Sequence, residues 1–201
     1  MNQMVLPAAL KVLLPEAMQS VCEGALLKKN ERVFLAGDKP QWMFYVLTGE
    51  VTLHRSGLQG ESVILQRTRQ GFISEASLKV SAYHCDAMAI MDTTLIKVPV
   101  TDLCLALDRD PEFANRWISM LNSEVRRLRL HLERLSMKSI RARLIHLIET
   151  EGIKGQYAAP SGLKTLAGEL GVTHEALYRA ISAMESDHLL RREGCRLCLI
   201  R

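Results

Sequence analysis

The sequence predicts an α+β chain in which a β-roll, a long helix and a winged helix-turn-helix follow one another. Three observations predict it. Short runs separated by turn residues fill the stretch from about Ala25 to Val98. Apolar residues then recur every three or four positions from Ile118 to Leu135. Finally, Leu163–Ser182 (LKTLAGELGVTHEALYRAIS) places a small residue, a turn residue and apolar residues where two closely crossing helices need them.

Residues 1–24 read as helical, with leucines and alanines between prolines that mark starts and stops. The texture then changes to Arg32–Leu35, Met43–Leu47, Val51–Arg55, Val63–Arg67, Cys85–Met91 and Thr94–Val98. Turn signals stand between them at Gly37-Asp38, Thr48-Gly49-Glu50, Gly57, Gly60 and Gly71. Short strands at this spacing predict an antiparallel barrel or roll. In the run Cys85–Met91, alternation puts Cys85, Ala87, Ala89 and Met91 on one face and Asp86, Met88 and Ile90 on the other.

From Asp110 onward the period becomes helical, with Pro111 suited to a first turn. Ile118, Leu121, Val125, Leu128, Leu132 and Leu135 then step by three and four, the a/d seam of a heptad pattern. A helix packing on its own domain needs a wider apolar stripe, so the narrow seam predicts a homodimer through this helix. Ser136-Met137 breaks the rhythm and is the expected hinge. A second helix follows, with Ile140, Leu144, Leu147 and Ile148 on one face, stopping before Gly152 and Gly155. The expected domains are residues 1–109, the dimer helix 110–136, and 137–201.

In the helix-turn-helix segment Ala167 is the small residue at the helix contact, and Gly171 tolerates the left-handed turn. Leu166, Leu170, Val172, Leu177 and Ile181 fall at the inward positions, and Thr173 is placed to cap the second helix. That helix would present His174, Glu175, Tyr178 and Arg179 from its N-terminal half, the part that enters a major groove. An arginine can pair bidentately with guanine, and a carboxylate can accept from cytosine N4. His188–Arg192, the turn Glu193-Gly194 and Cys195–Ile200 read as a β-hairpin wing, with Arg191 and Arg192 as candidate phosphate contacts.

Composition fits this plan: 48% hydrophobic and 24% charged residues support a packed core, and a net charge of +4 is compatible with nucleic acid. From Arg116 to Arg143 the chain carries Arg116, Arg126, Arg127, Arg129, Arg134, Lys138, Arg141 and Arg143 against Glu124 and Glu133. Two readings stay open there: a solvated helix face, or a basic surface beside a phosphate backbone. The five cysteines (Cys22, Cys85, Cys104, Cys195 and Cys198) have no framework spacing, which suits reduced thiols. No leading basic region or long apolar run marks a signal peptide, and no stretch reaches transmembrane length; the cytoplasm is the expected compartment, with no membrane partner. No Gly-x-Ser-x-Gly elbow, HExxH, phosphate-binding glycine loop or carboxylate pair is found, so no enzymatic activity is expected.

The segments Phe34–Asp38 (FLAGD), Tyr45–Leu53 (YVLTGEVTL), Gly71–Leu78 (GFISEASL), Tyr83–Ala89 (YHCDAMA) and Leu166–Arg179 (LAGELGVTHEALYR) occur in a telling order. In that order they resemble the cyclic-AMP receptor protein/FNR (Crp/Fnr) superfamily of bacterial transcription regulators, over nearly the whole chain. The resemblance implies a cyclic-nucleotide-binding-like β-roll (double-stranded β-helix) and a dimer on double-stranded DNA with inverted-repeat half-sites. It also implies base-reading residues at Glu175 and Arg179, and RNA polymerase as a candidate partner. The effector pocket would lie at Ser74, Glu75, Tyr83 and His84.

There the chain departs from the nucleotide-binding pattern. Ser74-Glu75 replaces Gly-Glu, and Tyr83-His84 stands near the Arg-Ser that would hold a cyclic phosphate. With no guanidinium in that segment, cyclic AMP is disfavoured and another effector is expected. An N-terminal iron–sulfur cluster lacks ligands, since only Cys22 stands in that region. Haem ligation by His84 with Cys85 is disfavoured too, because adjacent strand residues point to opposite faces. Trp42 and Trp117 read as core or interface anchors. Two other readings remain open besides a haem- or redox-sensing relative. One is a scaffold whose helix-turn-helix binds protein; the other is a thiol-redox enzyme using the lone Cys195-x-x-Cys198 pair, for which coincidence is the simpler account.

Overall fold

The computed structural model describes residues 6–56, 62–159 and 162–200; the turn glycines Gly57 and Gly60 lie outside the described residues. The chain divides into two compact units, Met1–Ser119 and Met120–Arg201.

The first unit opens with α1 (Ala8–Leu13) and α2 (Glu16–Ser20), with Pro7 and Pro15 at their N-caps and Leu10, Leu14 and Met18 buried. The strands are β1 (Glu23–Leu27), β2 (Arg32–Phe34), β3 (Trp42–Thr48), β4 (Val51–Ser56), β5 (Ser62–Thr68), β6 (Gly71–Phe72), β7 (Asp86–Ala89) and β8 (Thr93–Pro99), with a 3-10 turn at Glu75–Ser77. They form two four-stranded antiparallel sheets, ordered β1-β8-β3-β6 and β2-β7-β4-β5. One core gathers Phe34, Phe44, Val46, Val51, Leu53 and Tyr83, with Cys85 and Ala87. Strand β3 is buried on both faces, which is why its run WMFYVLT lacks a polar alternation. Its Tyr45 meets Phe72 edge-on at 5.2 Å, and Phe72 meets Trp117 at 5.2 Å, so Trp117 is a core anchor as expected.

Three local readings are corrected. Glu23–Leu27 is a strand, so the helical reading of residues 1–24 runs too far; β1 is held by long-range pairing, with Glu23 opposite Lys97 and their side chains 2.7 Å apart. Val100–Arg109 forms a helix, α3, before the expected start at Asp110; its Val-Thr opening reads as strand, and Leu103 is its fully buried residue. Strand β7 ends at Ala89, not Met91. Cys85, Ala87 and Ala89 are buried as alternation requires, but Met91 is 49% exposed where the chain turns into β8.

The long helix α4 (Pro111–Ser136) covers 26 residues, and the division between the units falls within it. Next come α5 (Ile140–Glu151), β9 (Gln156–Ala158), α6 (Gly162–Glu169), α7 (His174–Ser186), β10 (Leu190–Glu193) and β11 (Arg196–Leu199). Helix α5 starts on a real cap: the Ser139 hydroxyl accepts the Ala142 N–H at 3.1 Å. The core of this unit contains Leu144, Leu147, Ile148, Leu166, Leu170, Leu177 and Ile181. The wing hairpin pairs Glu193 with Arg196, so its turn is Gly194-Cys195, one residue later than the sequence suggested. A third strand, β9, joins it in the order β10-β11-β9; at three residues it is too short to carry a period.

Candidate nucleic-acid interface

Helices α6 and α7 form the helix-turn-helix. Ala167 is buried, and Gly171 has φ of 65°, the left-handed value its place requires. The turn closes with two bonds, Val172 N–H to the Ala167 carbonyl at 3.0 Å and Gly171 N–H to the Gly168 carbonyl at 3.2 Å. This pattern satisfies carbonyls that the end of α6 would otherwise leave open. Thr173 caps α7, its hydroxyl accepting the Ala176 N–H at 3.2 Å. Leu177 and Ile181 point into the core, which turns the other side of α7 outward.

On that side Thr173, Glu175, Tyr178 and Arg179 are exposed and His174 is half-buried. Hydrogen bonds from its own backbone N–H and from Thr173 hold the Glu175 carboxyl below the usual range, so it is an acceptor at neutral pH. The rings of His174 and Tyr178 meet edge-on, with centroids 4.5 Å apart. The Arg192 guanidinium of the wing lies 5.4 Å from the centre of the same tyrosine ring. Arg191 instead pairs with Glu193 at 3.0 Å, both well exposed.

One residue of the basic run, read from the sequence as either on a solvated helix face or on a basic surface, is instead an internal clamp. Arg143 donates from Nε to the Met137 carbonyl (3.0 Å), from Nη2 to Leu135 (3.2 Å) and from Nη1 to Leu170 (2.6 Å). It thereby ties the end of α4 and the expected hinge to the end of α6. Leu135 sits against this clamp, since a Cβ at Gly171 would lie 3.2 Å from its Cδ2. Arg134 is likewise buried, paired with Glu151 and Thr150. Arg116 donates from Nε to the Leu13 carbonyl at 3.2 Å, Arg127 pairs with Glu124 at 2.8 Å and Arg141 with Asp187 at 2.9 Å, so five of the eight basic residues of the run have partners within the chain. Of the heptad seam, Ile118, Val125, Leu128 and Leu132 are exposed on the single chain, while Leu121 and Leu135 are half-buried.

In the roll, the four pocket residues have different fates. Ser74 is buried and its hydroxyl accepts the Phe44 N–H at 3.3 Å. Tyr83 is buried, stacked on Phe34 at 3.8 Å, and donates its hydroxyl to the Trp42 carbonyl at 2.8 Å. Burial pushes its pKa up to about 12. Glu75 is half-buried and His84 exposed. The His84 carbonyl, however, accepts two bonds from Arg55, at 3.3 and 3.1 Å. A guanidinium therefore does reach this place, against the reading of residues 83–84 alone. Cross-strand pairing brings it: His54 of β4 stands opposite Asp86 of β7.

All five cysteines are free thiols, Cys195 exposed in the wing turn and Cys198 buried in β11. Burial raises the Cys22 thiol to about 11 and moves Cys85 upward as well, which makes both poor nucleophiles. Among the described residues no group of three or more His, Cys, Asp or Glu could hold a metal ion. Among them, too, no helix is long and apolar enough to cross a membrane.

Residues 26–110 match the family model of the cyclic nucleotide-binding domain. The chain is 22% identical over 182 residues to the global nitrogen regulator of Synechocystis sp., covering 89% of this chain and 79% of that protein. Its fold is similar to that of FixK2 from Bradyrhizobium japonicum, with a TM-score of 0.65 at 21% identity, over 90% of this chain and 93% of that one. It is also similar to the Thermus thermophilus catabolite activator protein, with a TM-score of 0.51 at 24% identity, over 95% and 92%. Residues 26–110 are thus a cyclic nucleotide-binding domain, and the chain shares its fold with FixK2 and the catabolite activator protein.

Proposed function

We propose that the chain is a homodimeric transcription regulator that reads double-stranded DNA through α7 and is controlled by an effector other than cyclic AMP. One observation carries the reading: a capped helix, rigidly seated by Leu177 and Ile181, holds Glu175 and Arg179 outward from its first two turns. They lie four residues apart and so project from one face, with groups suited to cytosine and guanine edges. The global nitrogen regulator and the catabolite activator protein are regulators rather than enzymes, which supports the same class.

The exposed seam residues of α4 support dimerisation in residues 110–136, with 1–109 as sensor and 137–201 as DNA-binding domain. A two-fold axis then dictates an inverted repeat with half-sites about 34 Å apart. Such a protein would work in the cytoplasm, with RNA polymerase as a candidate partner. The roll supports a different effector because Ser74 and Tyr83 are spent on main-chain partners and Arg55 on the His84 carbonyl. By calorimetry cyclic AMP should show no low-micromolar binding; if it does bind, the reading of the pocket falls and Arg55 is the first residue to replace.

The direct test selects bound sites from random duplexes with the wild type and Arg179→Ala. The variant should lose about 1–3 kcal/mol per half-site and relax one base pair. Equal motifs of equal sharpness from both proteins would mean that Arg179 reads no base. Absence of any salt-dependent duplex binding by the wild type would favour a protein-binding helix-turn-helix instead.

A further inference from the structure

Tyr178 is unusual in its surroundings: an exposed aromatic residue on the outward face of α7, touching groups on two different elements. One turn before it, the His174 ring meets it edge-on at 4.5 Å. From the wing, the Arg192 guanidinium lies over its ring at 5.4 Å. Two turns further along α7, Glu185 Oε1 accepts the Arg192 backbone N–H at 3.2 Å. His174, Tyr178 and Glu185 are spaced by four and seven residues and so share one stripe of the helix.

Strand alternation explains why Arg192 rather than Arg191 is held in this way. Leu190 is buried toward the core, so Arg192, two residues on, shares its side, while Arg191 and Glu193 lie on the other. Arg191 accordingly pairs along its own strand, with Glu193.

Resting on the DNA-binding reading above, we infer that Tyr178 is a positioning residue that locks Arg192 of the wing onto the recognition helix, so that base reading and one phosphate contact are made by a single rigid unit. The electron-rich ring face attracts the cation and narrows its rotamers. A cation fixed before DNA arrives loses less freedom on meeting a phosphate. The His174 ring packs on the same tyrosine, which extends the unit to the first turn of α7.

The test uses the full chain and a duplex selected by the wild type, with dissociation constants measured across a range of salt. Arg192→Ala should flatten the salt slope by about 0.9 for each phosphate that is no longer neutralised. Tyr178→Ala should flatten it too, although tyrosine carries no charge; a merely structural role would not do this. It should weaken binding roughly two- to fivefold, the scale of an exposed cation–π interaction. Tyr178→Phe, which keeps the ring, should restore both affinity and slope. The double variant Tyr178→Ala/Arg192→Ala should bind no more weakly than Arg192→Ala alone, while the effects of Tyr178→Ala and Arg191→Ala should multiply. An unchanged slope in Tyr178→Ala, or multiplied effects in the double variant with Arg192, would overturn the coupling while leaving DNA binding intact. A wild type that binds no duplex in a salt-dependent way would overturn the function itself, and this inference with it.

Discussion

The roll and the helix-turn-helix each present a tyrosine and a histidine where the sequence suggests a ligand, and the two pairs are used in opposite ways. Tyr83 is 5% exposed, with its ring on Phe34 and its hydroxyl on the Trp42 carbonyl, and its neighbour His84 faces solvent. Tyr178 is 37% exposed, with its ring shared between His174 and Arg192. A buried hydroxyl must be satisfied inside the fold, so Tyr83 is committed before any ligand arrives. An exposed one exchanges water for a partner at little cost. The difference teaches that alignment with a functional motif carries chemistry only where the fold has not already used the side chain.

The largest effect that can break this comparison comes from the helix joining its two halves in sequence. Leu121→Asp with Leu128→Asp puts carboxylates into the proposed seam, each at a cost on the order of 3–5 kcal/mol if buried against its symmetry mate. Sedimentation should find monomers whose roll and helix-turn-helix units both remain folded. A dimer that survives both substitutions would remove the seam, and with it the geometric reason for paired half-sites.

Next in size is the contrast between the tyrosines themselves. Tyr83→Ala should destabilise the roll by roughly 3–5 kcal/mol, as large-to-small substitutions of buried aromatics do. Tyr83→Phe, which only strands the Trp42 carbonyl, should cost about 1 kcal/mol or somewhat more. Tyr178→Ala, by contrast, should change stability by less than about 1 kcal/mol. Denaturant melts of the three variants check this. Equal melting of Tyr83→Ala and wild type would show that the Phe34–Tyr83 stack is dispensable and would reopen the pocket to a ligand.

The smallest effect is pH-dependent and belongs to the second unit alone. Burial, and then the Arg134 charge, hold the half-buried His131 below the ordinary histidine value of 6.5, against weaker raising by Glu151 and Glu169. A depressed histidine pKa means that the unfolded chain takes up the proton first. The stabilising contribution is therefore complete above pH 6.5 and is lost as pH falls through the lower folded-state value. Melting of the second unit should drop between about pH 7 and pH 5, and His131→Gln should flatten the drop. An unchanged pH profile in that variant would overturn the assignment to His131.

Much of this molecule was legible in the chain alone. The helix-turn-helix was, because its constraints lie within twenty consecutive residues. The spacing of Ala167, Gly171 and Thr173 specifies a small contact, a left-handed turn and a cap, and each is found. The strands β2 to β5 and β8 were legible for a similar local reason, in their short runs and turn residues. What failed at this level were β1 and β9, held from afar by β8 and by the wing, and α3, whose Val-Thr opening reads as strand.

The sequence by itself determined the order of roll, long helix and winged helix-turn-helix, and which face of α7 looks outward, because helical and strand periods act over a few residues. Only the tertiary structure decided what the polar side chains do. Arg55 meets His84 across twenty-nine positions, Arg143 meets Leu170 across twenty-seven, and Tyr83 meets Trp42 across forty-one. Arg192 meets Tyr178 only because β10 folds back along α7. Such partners are chosen by strand register and helix packing, which bring distant residues within the roughly 3 Å of a hydrogen bond, and no period in the chain encodes that distance.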